Sequence, residues 1–95
     1  MKDKPAKLWR ISPHVSSTIE AEGGLLLDLR KSLCYSLNAE GAAVWLGIEA
    51  SEAGADLENM VTHLVNRTGV SRSRAEADVE SFLRKLRSKG LIRLA

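Results

Sequence analysis

The chain has one cysteine, Cys34, among its 95 residues, so no intrachain disulfide can form and a zinc site built from cysteines is excluded. It has no apolar run approaching the ~20 residues needed to span a bilayer. The opening stretch MKDKPAKLW lacks the apolar core of a secretory signal. These absences predict a cytoplasmic location without membrane contact. Charge of one sign is scarce as well: a net charge of +2 is too small to argue for nucleic acid by itself. There is no phosphate-cradling glycine loop and no dinucleotide fingerprint.

Catalytic and metal-binding groupings are equally thin. His14 and His63 lie far apart, and no further ligands stand at matching spacing. His63 directly precedes a core position, Leu64, and reads as a solvated helix residue. Cys34 has no histidine partner nearby and reads as a small hydrophobe. Glu76 and Glu80 stand one helical turn apart, but Glu80 also precedes Arg84 by four residues, the stabilising order for an exposed helix pair. The chain is therefore read as non-enzymatic, and no cofactor is expected.

What is present is the composition of an ordinary soluble domain, 44% hydrophobic and 27% charged, and its length suits one domain. Residues 1–11 are predicted to be a flexible N-terminal segment ahead of a single domain over 12–95. Pro13 marks a break. Val15 to Glu20, Leu25 to Leu29 and Leu33 to Leu37 then read as three short strands joined by the turns AEGG and RKS. Strand alternation puts Leu33, Tyr35 and Leu37 on one face of the third strand, and Cys34 and Ser36 on the other.

Three helices follow. Asn38 is a predicted N-cap, and Val44, Trp45 and Ile48 form the apolar stripe of the first helix. Trp45 is the expected anchor, packed against Leu37, Val61, Leu64 and Leu83, because Gly41 and Gly47 weaken the helix by about 1 kcal/mol each relative to alanine. Asp56 caps the second helix, whose stripe is Leu57, Met60, Val61, Leu64 and Val65, with Gly69 as its left-handed end. The third starts near Ser71 or Ser73, where Ser73 to Glu76 matches a capping box. Its stripe is Ala75, Val79, Phe82, Leu83 and Leu86, and Gly90 ends it. The tail LIRL is extended and able to fold back on the core. The predicted fold class is α+β, a three-stranded antiparallel sheet followed by three helices.

Arg72, Arg74, Arg84, Lys85, Arg87, Lys89 and Arg93 crowd the last quarter. Three helices with an extended tail have a winged-helix-like outline, so a DNA-binding module is one reading. Much of this charge also suits a helix C-terminus, where cations oppose the dipole, and Glu76, Asp78 and Glu80 interrupt it. A structural subunit of a larger complex is another reading.

The stretch LLLDLRKSLCYSLNAEGAAVW resembles the signature of the PqqD-like family: an apolar strand ending in Asp, a short turn, an aromatic strand, Leu-Asn, small residues and Val-Trp. AEADVESFLRKLRSKGLI is similar to the second half of that pattern. The likeness runs from about Ser12 to Leu94. It departs from the pattern at Cys34 and at the more apolar Leu25-Leu26-Leu27. The resemblance implies the same three-stranded, three-helix fold. It also implies a non-catalytic recognition element for ribosomally made, modified peptides, which binds the leader of a precursor peptide and presents it to a modifying enzyme. In pyrroloquinoline quinone biosynthesis that enzyme is of the radical S-adenosylmethionine type. With no fused enzyme, the chain would be a stand-alone member, a monomer or weak dimer, with nucleic acid set aside as a partner.

The last strand of a meander leaves an edge unpaired, and an edge facing a helix is a groove that a peptide can fill as a further strand. The predicted peptide-binding residues are Leu33, Cys34, Tyr35, Ser36 and Leu37 on the strand. On the third helix they are Ala75, Asp78, Val79 and Phe82, which share a side at i, i+3, i+4 and i+7, with Arg74 and Lys85 at the rim.

Overall fold

A computed structural model describes residues 7–95. The elements in chain order are β1 (Trp9–Ile11), β2 (Val15–Glu20), β3 (Gly23–Asp28), β4 (Leu33–Leu37), α1 (Ala39–Glu49), α2 (Leu57–Thr68), α3 (Arg72–Ser88) and β5 (Ile92–Leu94). The α+β class and the three-stranded meander followed by three helices are as predicted, and the winged-helix-like description fits. β2, β3 and β4 form one antiparallel sheet in that order, with Leu26 opposite Ser17 on one side and Tyr35 on the other. Alternation buries Leu26 and Asp28 against the helices and leaves Leu25 and Leu27 on the outer face, 50% and 40% exposed. Cys34, opposite Leu27 in the register, is also exposed there.

The helices start and stop where side chains satisfy their orphan backbone groups. The Asn38 side chain accepts a hydrogen bond from Gly41 N–H (2.8 Å). Asp56 accepts from Asn59 N–H (2.8 Å), and Asn59 Oδ1 accepts from Asp56 N–H (3.2 Å), which closes a reciprocal box. Gly69 takes the left-handed C-cap of α2, φ 77°. At α3 the cap is Ser71, accepting from Arg74 N–H, and the expected box from Ser73 to Glu76 does not form. Ser73 lies inside the helix because a start there would release the turn that Ser71 already closes.

The core is one cluster. Trp45, Val61, Leu64 and Leu83 are all buried in it, and Leu37 packs against its edge. Trp45 is fully enclosed, and its indole N–H donates to Glu49 (3.3 Å), which also accepts from Ser17 of β2 (2.6 Å). α1 is buried nearly all round, at Gly41 through Trp45, Gly47 and Ile48. Gly47 is the reason it can be: a Cβ there would lie 3.2 Å from the Met60 Cα of α2.

One expectation is corrected. Trp9–Ile11 were assigned to the flexible segment but form β1, antiparallel to β5 with Ile11 opposite Ile92. Residues 1–6, the rest of that assignment, lie outside the described residues. The far side of β1 is tied too: Trp9 and Ala55 exchange both backbone bonds (2.8 and 2.9 Å). Ser12 then fastens the chain to the end of α3, its hydroxyl donating to the Gly90 carbonyl (2.8 Å). The LIRL tail thus folds back as a strand paired with β1 rather than lying loose.

Candidate functional site: the open edge of the sheet

β4 has one strand neighbour, β3. Among the described residues no backbone hydrogen bond reaches its other edge. That edge faces α3 across a cleft of about 600 Å³ lined by Leu26, Tyr35, Ser36, Leu37, Asn38, Phe82, Lys85, Leu86, Lys89 and Leu91. The floor is apolar core seen from outside, since Leu26, Leu86 and Leu91 are nearly or fully buried. Lys85 and Lys89 stand on the helix side, and the Lys89 ammonium sits 5.4 Å from the centre of the Tyr35 ring.

The predicted residues divide here. Tyr35, Ser36, Leu37, Phe82 and Lys85 line this cleft together. Leu33 stands exposed at the strand's start, and Cys34 lies outside the cleft lining, exposed on the outer face opposite Leu27. Ala75 and Val79 do not belong to the surface at all: both are fully buried. The expectation that they form a wall is corrected, because they share the stripe of Leu83 and Leu86 that packs the core, and only Phe82 sits at its margin. Asp78 lines a smaller adjoining hollow of about 190 Å³ between α1 and α3, with Glu40, Gly41 and Phe82. Arg74 lies beyond it, reaching Asp78 at 3.4 Å and Glu40 at 3.9 Å, so it braces α3 against α1 rather than rimming the β4 cleft. Gly41 makes room for the Phe82 ring, since a Cβ there would come within 3.2 Å of it.

Sequence reasoning missed Leu26, Asn38, Leu86, Lys89 and Leu91. Leu26 and Leu91 lie outside any stripe that ties them to β4. A sharper signal was available for Lys89, one residue before the predicted helix end at Gly90.

The remaining cations are dispersed. Arg72 pairs with Glu58 of α2, and Arg87 lies over the Trp9 ring at 5.5 Å. A further cleft of about 690 Å³, lined among others by Trp9, Leu57, Glu58, Glu80, Arg84 and Arg87, mixes both signs of charge. It adjoins β1, whose two edges are already bonded.

A small α+β domain with a winged-helix-like outline, in which an unpaired sheet edge faces a helix across an apolar-floored cleft, has the geometry that strand-accepting recognition modules use. Residues 23–92 match the family model described as Coenzyme PQQ synthesis protein D (PqqD), and the chain belongs to that family. No curated protein sequence matches significantly. Among solved structures the chain resembles TbiB1, determined in complex with the TbiA(beta) leader peptide, at 30% identity and a TM-score of 0.72, covering 88% of this chain and 94% of that one. It shares the fold of a lasso peptide synthetase B1 complexed with the leader peptide, at 24% identity and a TM-score of 0.67, covering 90% and 96%.

Proposed function

We propose that this protein is a peptide-binding adaptor that holds the leader of a ribosomally made precursor peptide for a modifying enzyme, without catalysing a reaction itself. The observation that carries the reading is the unpaired β4 edge facing α3 in a chain of the PqqD family, whose structural relative TbiB1 was solved with a leader peptide. An extended peptide adds to β4 as a fourth strand. Its backbone bonds supply affinity, and its alternate side chains enter the cleft over Leu26, Leu86 and Leu91. The contacts are the backbone of Leu33 to Leu37 and the side chains of Tyr35, Leu37, Phe82 and Lys85.

The modifying enzyme is of the radical S-adenosylmethionine type in the reading that follows pyrroloquinoline quinone biosynthesis, and a different one in the reading that follows the lasso-peptide relatives. The proposed place of this step is the cytoplasm. No helix among the described residues is long and apolar enough to cross a membrane. DNA binding is disfavoured because Arg72, Arg74 and Arg87 are engaged within the fold and form no continuous cationic stripe.

The test is an amide chemical-shift map with a leader peptide encoded beside the gene. Shifts are expected at residues 33–37 and along the α3 face at Phe82 and Lys85. Shifts confined to α1 and α2 would sink the groove reading. Lys85→Glu is expected to weaken binding by a few-fold to tenfold, about 1 kcal/mol, with the thermal midpoint unchanged.

A further inference from the structure

At the Leu33 end of the open edge, the β3–β4 turn and the end of α3 enclose a second hollow of about 470 Å³, lined by His14, Arg30, Lys31, Lys89 and Gly90. Lys89 lines both this hollow and the β4 cleft, so the two adjoin. The turn is held in one shape. Asp28 Oδ1 accepts from the N–H groups of Arg30 (2.9 Å) and Lys31 (3.0 Å), and Ser32 takes the left-handed conformation, φ 56°. Lys31 reaches across to the Lys89 carbonyl at 3.5 Å. Asp28 itself is fully buried. Its second oxygen has no hydrogen-bond partner, with the His14 Nε2 at 3.8 Å.

The wall therefore carries Arg30, Lys31, Lys89 and the imidazole of His14, and its one carboxylate is withdrawn from solvent. At the opposite end of the edge the charges balance, with Glu40 and Asp78 facing Arg74 (3.9 and 3.4 Å) and Lys85 beside them. The geometry points to a carboxylate-binding subsite in this hollow that takes an Asp or Glu of the bound peptide, just beyond the segment paired with β4. This inference rests on the peptide-adaptor reading and deepens it. A cationic end set against a charge-balanced end gives the cleft a charge direction. A peptide whose acidic residue lies at the Leu33 end docks in one orientation, and the reversed or acid-free peptide loses these contacts. Backbone pairing by itself does not read sequence, because every non-proline residue presents the same N–H and C=O groups.

The experiment selects binders from a random peptide display library on the full chain. The best binder is then made with an amidated C-terminus, so that side chains supply its only carboxylates, and titrated by fluorescence anisotropy. Its Asp or Glu residues are replaced by Asn or Gln. The expected result is enrichment of an acidic residue at one flank, and a loss of about tenfold in affinity on its replacement, shrinking at high salt. The triple variant Arg30→Gln, Lys31→Gln, Lys89→Gln should bind the acidic and amide peptides alike. Its fold is preserved, as the turn is held by backbone N–H groups, and an unchanged thermal midpoint checks this. Binders that shift the β4 amides but show no acidic preference overturn this inference alone. Binders that leave residues 33–37 unshifted overturn the adaptor reading and this inference with it.

Discussion

Asp28 ends β3 with its carboxyl shut away from water. Burial raises its pKa, but the N–H groups of Lys31 and Arg30 and the charges of His14 and Lys31 lower it by more together, so it falls below its ordinary 3.8. A carboxylate with a lowered folded value stabilises the fold above its unfolded pKa, and that stability is lost as the pH falls through the folded value. Urea unfolding of the wild-type chain should therefore weaken below about pH 4. Asp28→Asn keeps one accepting oxygen and should show a shallower acid limb; two superimposable profiles would mean that Asp28 contributes nothing to it. Trp45 acts through packing instead. It is fully enclosed, with its indole N–H satisfied by Glu49. Trp45→Ala should cost roughly 3–5 kcal/mol in denaturant unfolding, and a cost under about 1 kcal/mol would remove it as the anchor.

Among the elements, α1 departs furthest from an ordinary amphipathic helix. Buried on nearly all sides, it has no polar face to mark its stripe, and Gly47 reads on propensity alone as a weakness. In the packed molecule Gly47 is the contact with α2. Gly47→Ala gains about 1 kcal/mol of helix propensity but forces a methyl against the Met60 backbone, a cost of about 1–3 kcal/mol. The expected outcome is a net loss near 1 kcal/mol, and a rise in the urea midpoint would show that α1 and α2 separate freely. β4 is the converse case. Its residues are ordinary strand formers, and what sets it apart from β2, the other outer strand, is that its open edge faces α3 across the cleft.

At the scale of the whole molecule, β1 and β5 join the two ends of the chain. Trp9 and Ile11 are half-buried against the core, and Ala55 bonds to Trp9 from the α1–α2 loop. Removing residues 1–11 strips both side chains and leaves β5 unpaired. The loss should be about 2 kcal/mol or more from apolar burial alone, read as a lower thermal midpoint. An unchanged midpoint would restore the picture of a dispensable tail. The same closure brings the end of α3 beside the β3–β4 turn through Ser12 and Gly90, so the cationic hollow is a product of the chain's ends meeting.

The meander, the three helices and most of their caps are legible in the residues because each depends on neighbours a few positions away. Alternation needs i and i+2, a helical stripe needs i, i+3 and i+4, and a cap such as Asn38 or Asp56 needs a partner three residues on. The cleft was half legible. Tyr35, Leu37, Phe82 and Lys85 follow from strand and helix periodicity, but Ala75 and Val79 share that periodicity and are core. Which side of a stripe faces protein and which faces an opening depends on where the other elements pack. The β1–β5 pairing, the Leu26–Leu91 floor and the meeting of Lys31 with Lys89 join residues tens of positions apart. No local pattern encodes those distances, and only the burial of one common core brings them together.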